Sequence, residues 1–200
     1  MCNLTVVVAA TEAWGIGLNG GLPWRLKSEM AYFARVTKAV PAQACRAGRT
    51  TTNAVIMGRK TWESIPLKFR PLKERINVVV SRQNRLSLDE GVLHAQSLDD
   101  ALHCLKGEKV PHAINRIFII GGAQLYQEAF NDPRTDRILL TLIHEKFPCD
   151  TFLPLALDGT NEWKRSSHKD LEDLVEGEVP QGKVREGDTD FEYTMWTKPC

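Results

Sequence analysis

Apolar, β-branched runs recur along the chain with almost no polar interruption: LTVVVAA from Leu4 to Ala10, NAVIM (53–57), RINVVVS (75–81), RIFII (116–120) and RILLTLIHEKF (137–147). Runs that lack polar alternation suit strands buried on both faces of a sheet. Between them the spacing turns helical, from Leu26 to Lys38, over a short piece from Arg59 to Ser64, along SLDDALHCL behind a Ser97 cap, and through GGAQLYQEAF ending before Asn131. Strands alternating with helices predict an α/β fold around a mostly parallel sheet. The last third alternates more. There TFLP, EWKRSSH and TDFEYTMWTK read as further strands and predict antiparallel pairing at one edge, while EDLVEGEVPQGKVREGDTD (172–190) reads as a long acidic surface connection.

With 200 residues the expectation is one domain, 1–200, around one sizeable core. The formal net charge is +1, with acids and bases mixed along the chain, so no continuous basic face for nucleic acid is expected and small molecules are the expected partners. Five cysteines (2, 45, 104, 149 and 200) show no metal-ligand or redox spacing. With neither a leader pattern nor a membrane-length apolar stretch, the expectation is a soluble, cytoplasmic chain of ordinary thiols without a metal site.

GIGLNG, from Gly15 to Gly20, has the G-x-G-x-x-G spacing of a dinucleotide-binding turn, but its context fails that reading. TEAW separates it from the preceding strand, and Gly21-Leu22-Pro23 prevents a helix from starting behind it. Between Glu29 and Glu63 no acid is available for a ribose hydroxyl. The segment reads instead as a long Gly-rich loop, leading into a helix on which Leu26, Glu29, Met30 and Phe33 share an arc of roughly 100°. Glu29 thus falls within an apolar stripe. It is either a first-turn acid serving the helix dipole or a buried acid of raised pKa that pairs with an amidine-like ligand edge and helps deliver a proton.

Three other strand ends carry chemistry suited to phosphates. Gly121-Gly122 stands between a strand and a helix, as a tight turn or as a set of backbone N–H groups offered to a phosphate. Gly58 precedes Arg59 and Lys60 at a helix start, where cations are misplaced unless an anion joins them. Ser81-Arg82 pairs a hydroxyl with a guanidinium. Together these residues mark the C-terminal ends of successive strands, where open α/β sheets bind ligands, and they favour a nucleotide with an extra ribose phosphate.

With these motifs in this order, over nearly its whole length, the chain resembles the dihydrofolate reductase family: VVVAATEAWGIGLNGGLPW, NAVIMGRKTWESIPLKFRPLKERINVVVSR, SLDDAL, IFIIGGAQLY, TLIHEKFPCDTFLP and FEYTMWTK carry the likeness. Glu at position 29 resembles the eukaryotic, monofunctional branch. The resemblance implies a three-layer fold with an eight-stranded, mostly parallel sheet, an antiparallel C-terminal edge and about four helices. It also implies NADPH as cofactor and hydride transfer to C6 of dihydrofolate with protonation at N5, in support of one-carbon metabolism. Partners would be dihydrofolate and antifolate-type inhibitors, bound by a monomer.

Residue by residue, the resemblance implies that Glu29 binds the pterin edge, with Thr141 supporting its carboxylate, Trp24 holding a water and Leu22 beside the substrate. Val7, Val8, Ala9, Met30, Phe33, Ile65, Phe69, Leu72, Ile120 and Tyr126 would surround the ligand, and Arg75 would grip the glutamate tail through both prongs of its guanidinium. For NADPH it implicates Ala9, Ile16, Gly17, Leu18, Asn19, Gly20, Gly21, Gly58, Arg59, Lys60, Thr61, Ser81, Arg82, Gln83, Gly121, Gly122, Ala123, Gln124, Leu125 and Tyr126, and a cis peptide between Gly121 and Gly122. Several positions depart from the family's pattern. Met30 stands where Phe is common and Phe69 where a polar residue is common; Gln96 stands where vertebrate members carry an Arg toward the 2′-phosphate. That departure shifts the expected grip to Arg82, Arg59 and Lys60. Segment 172–190 is the least family-like, and no function attaches to it. Two other readings remain open on the residues: an NADPH reductase of another heterocycle, and a silent nucleotide- or folate-binding module.

Overall fold

The computed structural model describes residues 3–44, 50–83, 86–107, 110–159 and 161–198; Cys2, Cys45 and Cys200 lie outside them. In chain order the elements begin with β1 (Leu4–Thr11), β2 (Gly15–Gly17), α1 (Lys27–Lys38), β3 (Thr51–Gly58), α2 (Arg59–Ser64), β4 (Arg75–Val80), β5 (Leu93–Ala95) and α3 (Leu98–Cys104). They continue with β6 (Ala113–Ile119), α4 (Ala123–Asn131), β7 (Thr135–Ile143), β8 (Thr151–Phe152), β9 (Lys164–Arg165), α5 (His168–Val175), β10 (Lys183–Glu186) and β11 (Thr189–Thr197).

The main sheet runs β10-β11-β7-β1-β6-β3-β4-β5, with two-residue β9 added beside β11. From β7 to β5 every pairing is parallel, whereas β11 joins β7, and β10 joins β11, antiparallel. The unbroken apolar runs have the expected cause, since each face of the sheet carries its own core. Along β1, Leu4, Val6, Val8 and Ala10 enter one cluster while Val7 enters the other, and on β3 Ile56 opposes Val55 and Met57 in the same way. Each such Val, Leu, Ile or Met side chain contributes about 1.5–3 kcal/mol through burial.

The C-terminal third departs from the sequence-based expectation. Among the described residues there are five α-helices rather than about four, because residues 168–175, expected as the end of a strand and the start of a surface connection, form α5. Its physical cause is a capping box: Ser167 Oγ accepts from Asp170 N, and the Asp170 carboxylate accepts from Ser167 N, while Leu171 and Val175 bury one turn apart. Residues 183–186 are likewise a strand, and Val179 between α5 and β10 is buried, so 172–190 is a packed part of the fold.

The Gly-rich loop is also more ordered than expected. β2 pairs antiparallel with β8 in a separate two-stranded sheet, and Leu18 and Gly21 exchange backbone hydrogen bonds of 3.0 and 2.9 Å. The residues between them, Asn19 and Gly20, both have positive φ, which Asn-Gly adopts readily in two-residue hairpin turns. The Asp150 carboxylate accepts from Asn19 N at 2.8 Å, and Asp150 N donates to Gly17 O at 3.0 Å. The turn is thereby tied to the start of β8.

Candidate active site

Helix α1 buries Glu29, Tyr32, Val36 and Thr37. This face is rotated from the expected stripe: Glu29 is only 7% exposed, while Met30 is 50% exposed and Phe33 sits at the margin. The rotation follows from what holds the helix. Tyr32 packs on Tyr193 of β11 with ring centroids 4.2 Å apart. At the far end Asn53, fully buried at an irregularity in β3, donates to Thr37 O and Ala39 O at 3.0 and 2.8 Å. At the near end Leu26 provides no side-chain cap, and the Glu186 carboxylate of β10 caps the helix from a distance, accepting from Lys27 N at 2.6 Å and Ser28 N at 2.9 Å.

Burial pushes the Glu29 carboxyl up to about 7, against a smaller opposing effect of its hydrogen bond with Thr141. Thr141 lies on β7 in register with Ala9 of β1, which brings the carboxyl beside the end of the central strand. Trp24 is buried edge-on to Phe147 at 5.6 Å, and its indole N–H has no partner among the described residues. A carboxyl in this setting holds its proton near neutral pH and can also share it with a polar ligand edge.

Leu22, Met30 and Phe69 are exposed large apolar side chains, at 55, 50 and 56%. Ala9, Phe33, Ile65, Leu72 and Ile120 are partly buried against one core cluster that also contains Val7. Arg75 opens β4, where its Nη1 donates to Thr37 Oγ1 at 2.7 Å and its Nε to Lys73 O at 2.9 Å; the guanidinium lies 6.0 Å from the Phe33 ring centre. It is half-buried, and burial lowers its pKa. Buried Asn77 braces the turn before it, accepting from Leu72 N and donating to Leu72 O and Arg75 O, each at 2.9 Å. A guanidinium held in this way is pre-oriented for a carboxylate or phosphate.

A cleft of about 780 Å³ opens at the C-terminal ends of β1, β3, β4 and β6. Its lining brings together Val8, Ala9, Ile16, Gly17, Gly20, Gly21, Leu22, Gly58, Arg59, Lys60, Thr61, Ser81, Arg82, Gln83, Gln96 and the stretch from Ile120 to Tyr126. Leu18 and Asn19, expected with them, are not among the lining residues, although Gly20 and Gly21 of the same turn are. Glu29, Met30, Phe33, Ile65, Phe69, Leu72 and Arg75 are not lining residues either, so the carboxyl and the guanidinium belong to a neighbouring region past Leu22 and Ala9. Ser97, read from the sequence only as a helix cap, lines the cleft as well, and so do Ser64, Val80, Glu128 and Thr151, single residues that carry no motif by which to find them. Thr37, Asn53 and Asn77 were missed too, although three polar residues within or beside apolar patterns are a signal of buried hydrogen bonding.

The peptide between Gly121 and Gly122 is cis. Gly121 has φ of 112°, and a Cβ there would stand 3.3 Å from both Thr61 Oγ1 and the Tyr126 hydroxyl, which itself donates to Val7 O at 2.8 Å. Helix α4 begins behind Gly122 with no side-chain cap, leaving its first N–H groups toward the cleft. Arg59 is bound by Glu63 one turn along, Nη1 lying 2.7 and 2.8 Å from the two carboxylate oxygens. Among the described residues no group of three or more His, Cys, Asp or Glu side chains is placed to hold a metal ion, and no helix is long and apolar enough to cross a membrane.

Comparison with known proteins gives a consistent likeness. The sequence model of the dihydrofolate reductase family matches residues 3–178. The chain is 48% identical over 202 residues to a dihydrofolate reductase of Pneumocystis carinii, covering 98% of this chain and 97% of that one. It is 38% identical over 203 residues to the Candida albicans enzyme, again covering 98 and 97%. Among solved structures, the dihydrofolate reductase of Schistosoma mansoni superposes with a TM-score of 0.79 at 36% identity, covering 99% of both chains.

Proposed function

The chain belongs to the dihydrofolate reductase family of oxidoreductases, and from that premise we propose that it reduces 7,8-dihydrofolate to tetrahydrofolate with NADPH, Glu29 acting as the proton-holding group. The observation that carries this reading is a carboxyl 7% exposed and hydrogen-bonded with Thr141, whose strand neighbour Ala9 lines a phosphate-compatible cleft.

The cleft fits the cofactor. The close approach at Gly121 leaves no room for a side chain, the uncapped start of α4 offers N–H groups to a phosphate, and Ser81 with Arg82 supplies a hydroxyl and a guanidinium. Arg59 would share its charge between Glu63 and a phosphate. When NADPH is bound, the hydride that reduces C6 comes from its nicotinamide ring. The chain's own residues supply orientation and electrostatics. Leu22, Met30, Phe33 and Phe69 would flank the substrate, exclude water from the reacting face and hold the pterin beneath Leu22. Glu29 would bind the 2-amino and N3 edge and favour delivery of a proton to N5, through water positioned by Trp24. Hydride at C6 and proton at N5 together saturate the N5–C6 double bond, with NADP⁺ as the oxidised product. Arg75, already oriented by Thr37 and Lys73, would receive the glutamate tail.

The same reading takes the protein to be a cytoplasmic monomer serving one-carbon metabolism and sensitive to antifolates. Purified protein mixed with NADPH and dihydrofolate should consume both in equal amounts and yield tetrahydrofolate. A folded protein that binds both without turnover would overturn the reading.

A further inference from the structure

The helix that carries Glu29 is held along its length by the C-terminal part of the chain. At its start, Glu186 accepts hydrogen bonds from Lys27 N at 2.6 Å and Ser28 N at 2.9 Å, and the Ser28 hydroxyl bonds to the same carboxylate. Midway, Tyr193 packs on Tyr32. In the last turn, Arg35 Nη2 donates to Glu178 O at 3.0 Å, while Arg116 Nη1, from β6, donates to Leu174 O at 2.6 Å and fixes the end of α5.

The first contact has an electrostatic consequence for the buried acid. An α-helix ends at its N-terminus in free N–H groups equivalent to about half a positive charge. Glu29 stands in that first turn, next to Ser28. Left uncapped, the turn would favour the ionised carboxylate and draw the proton off Glu29. Here two of its N–H groups point to a full negative charge instead. Ser28 and Lys27 hold the Glu186 carboxyl below the usual carboxylate range, so it is ionised at neutral pH. The groups that face Glu29 from the surrounding elements are Thr141 of β7, Tyr126 of α4, Tyr193 of β11 and Tyr32 of α1. Thr141 has no charge to offer, and burial raises the three phenols, so none of the four is charged near pH 7. Around Glu186 stand the Lys27 ammonium and the Tyr193 hydroxyl, and Arg35 acts on both Tyr32 and Tyr193.

We propose that Glu186 is a positioning residue for Glu29: by capping α1 with a full negative charge it fixes the first turn and offsets the positive end of the helix beside the Glu29 carboxyl. This gives segment 172–190 a part in the chemistry, and it rests on Glu29 being the acid of the proposed reaction.

The test reads the carboxyl itself. In protein labelled with ¹³C at glutamate carboxyls, the Glu29 signal is the one lost in Glu29→Gln, and its titration is followed in the parent, Glu186→Gln and Glu186→Asp. The Gln variant keeps an acceptor and loses the charge; the Asp variant keeps the charge. The expected result is a Glu29 midpoint about 0.2 to 0.7 pH unit lower in Glu186→Gln, with most of the shift restored in Glu186→Asp. The pH–rate profile of dihydrofolate reduction should move down by the same amount. Equal midpoints in the parent and the Gln variant would overturn the proposal, even if activity fell at every pH. An Asp variant shifted as far as the Gln variant would overturn it as well. A parent that does not reduce dihydrofolate would refute the proposed function, while the carboxyl titration would still decide the role of Glu186.

Discussion

Replacing Glu29 by Gln should make the protein more stable, and the gain should grow with pH. Burial raises the carboxyl from its ordinary 4.5 to about 7 in the folded chain. The folded state therefore binds a proton that the unfolded chain releases, and stability is lost as pH rises from the unfolded value through the folded one. At 1.36 kcal/mol per pH unit, the penalty is about 1 kcal/mol at pH 5, about 2 at pH 6 and about 3 at pH 7 and above. A neutral amide of the same shape escapes it, retaining a partner for Thr141. For a chain of this size about 3 kcal/mol corresponds to roughly 6–12 °C in Tm. Thermal unfolding of the parent and Glu29→Gln, followed by circular dichroism from pH 4 to 9, gives the difference directly. The two Tm values should converge below pH 4.5 and separate above it, with the Gln variant higher. A difference independent of pH, or a less stable Gln variant at pH 8, would refute the claim that burial raises this carboxyl. The same substitution should sharply reduce reductase activity near neutral pH, with a smaller loss where the substrate is already protonated.

Arg75→Ala removes a charged contact with the glutamate tail and should weaken dihydrofolate binding by about 1.5–3 kcal/mol while NADPH binding holds, as titration calorimetry would show; the reverse pattern would sink the assignment. Arg82→Ala should raise KM for NADPH more than for NADH, since only the former has the 2′-phosphate, and an equal change for both in steady-state assays would count against that role. Gly121→Ala places a Cβ 3.3 Å from Thr61 Oγ1 and the Tyr126 hydroxyl at a φ of 112°, and should cost about 1–3 kcal/mol in chemical denaturation; an unchanged midpoint would show that the turn relaxes freely.

Much of the fold was legible because the parallel strands are buried on both faces, so that RINVVVS and RIFII needed no alternation to be read. The helices with a clear stop or cap were legible for local reasons, Ser97 accepting from Asp100 N being the plainest case. Helix α5 was not, because Ser-Ser-His after EWKR resembles a strand end, although Ser167 and Asp170 already had capping-box spacing. Asn19-Gly20 was a hairpin signal overlooked beneath the dinucleotide-like glycine spacing. The burial of Glu29 could be anticipated from its apolar neighbours, but the rotation that exposes Met30 depends on Tyr193 and Asn53, far away in sequence. Long-range polar contacts such as Glu186 with Lys27 and Ser28 have no local pattern at all. Of the residues assigned to the cofactor, most line one cleft; from the turn 18–21, Gly20 and Gly21 do and Leu18 and Asn19 do not.

The central claim is hydride transfer to dihydrofolate in a site governed by Glu29, and isotope transfer measures it most directly. Protein incubated with dihydrofolate and NADPH carrying deuterium at the reactive nicotinamide carbon should yield tetrahydrofolate with one deuterium, at C6, and a proton from solvent at N5, with Glu29→Gln much slower near neutral pH. Product without deuterium at C6, or an equally fast Glu29→Gln variant, would contradict the account.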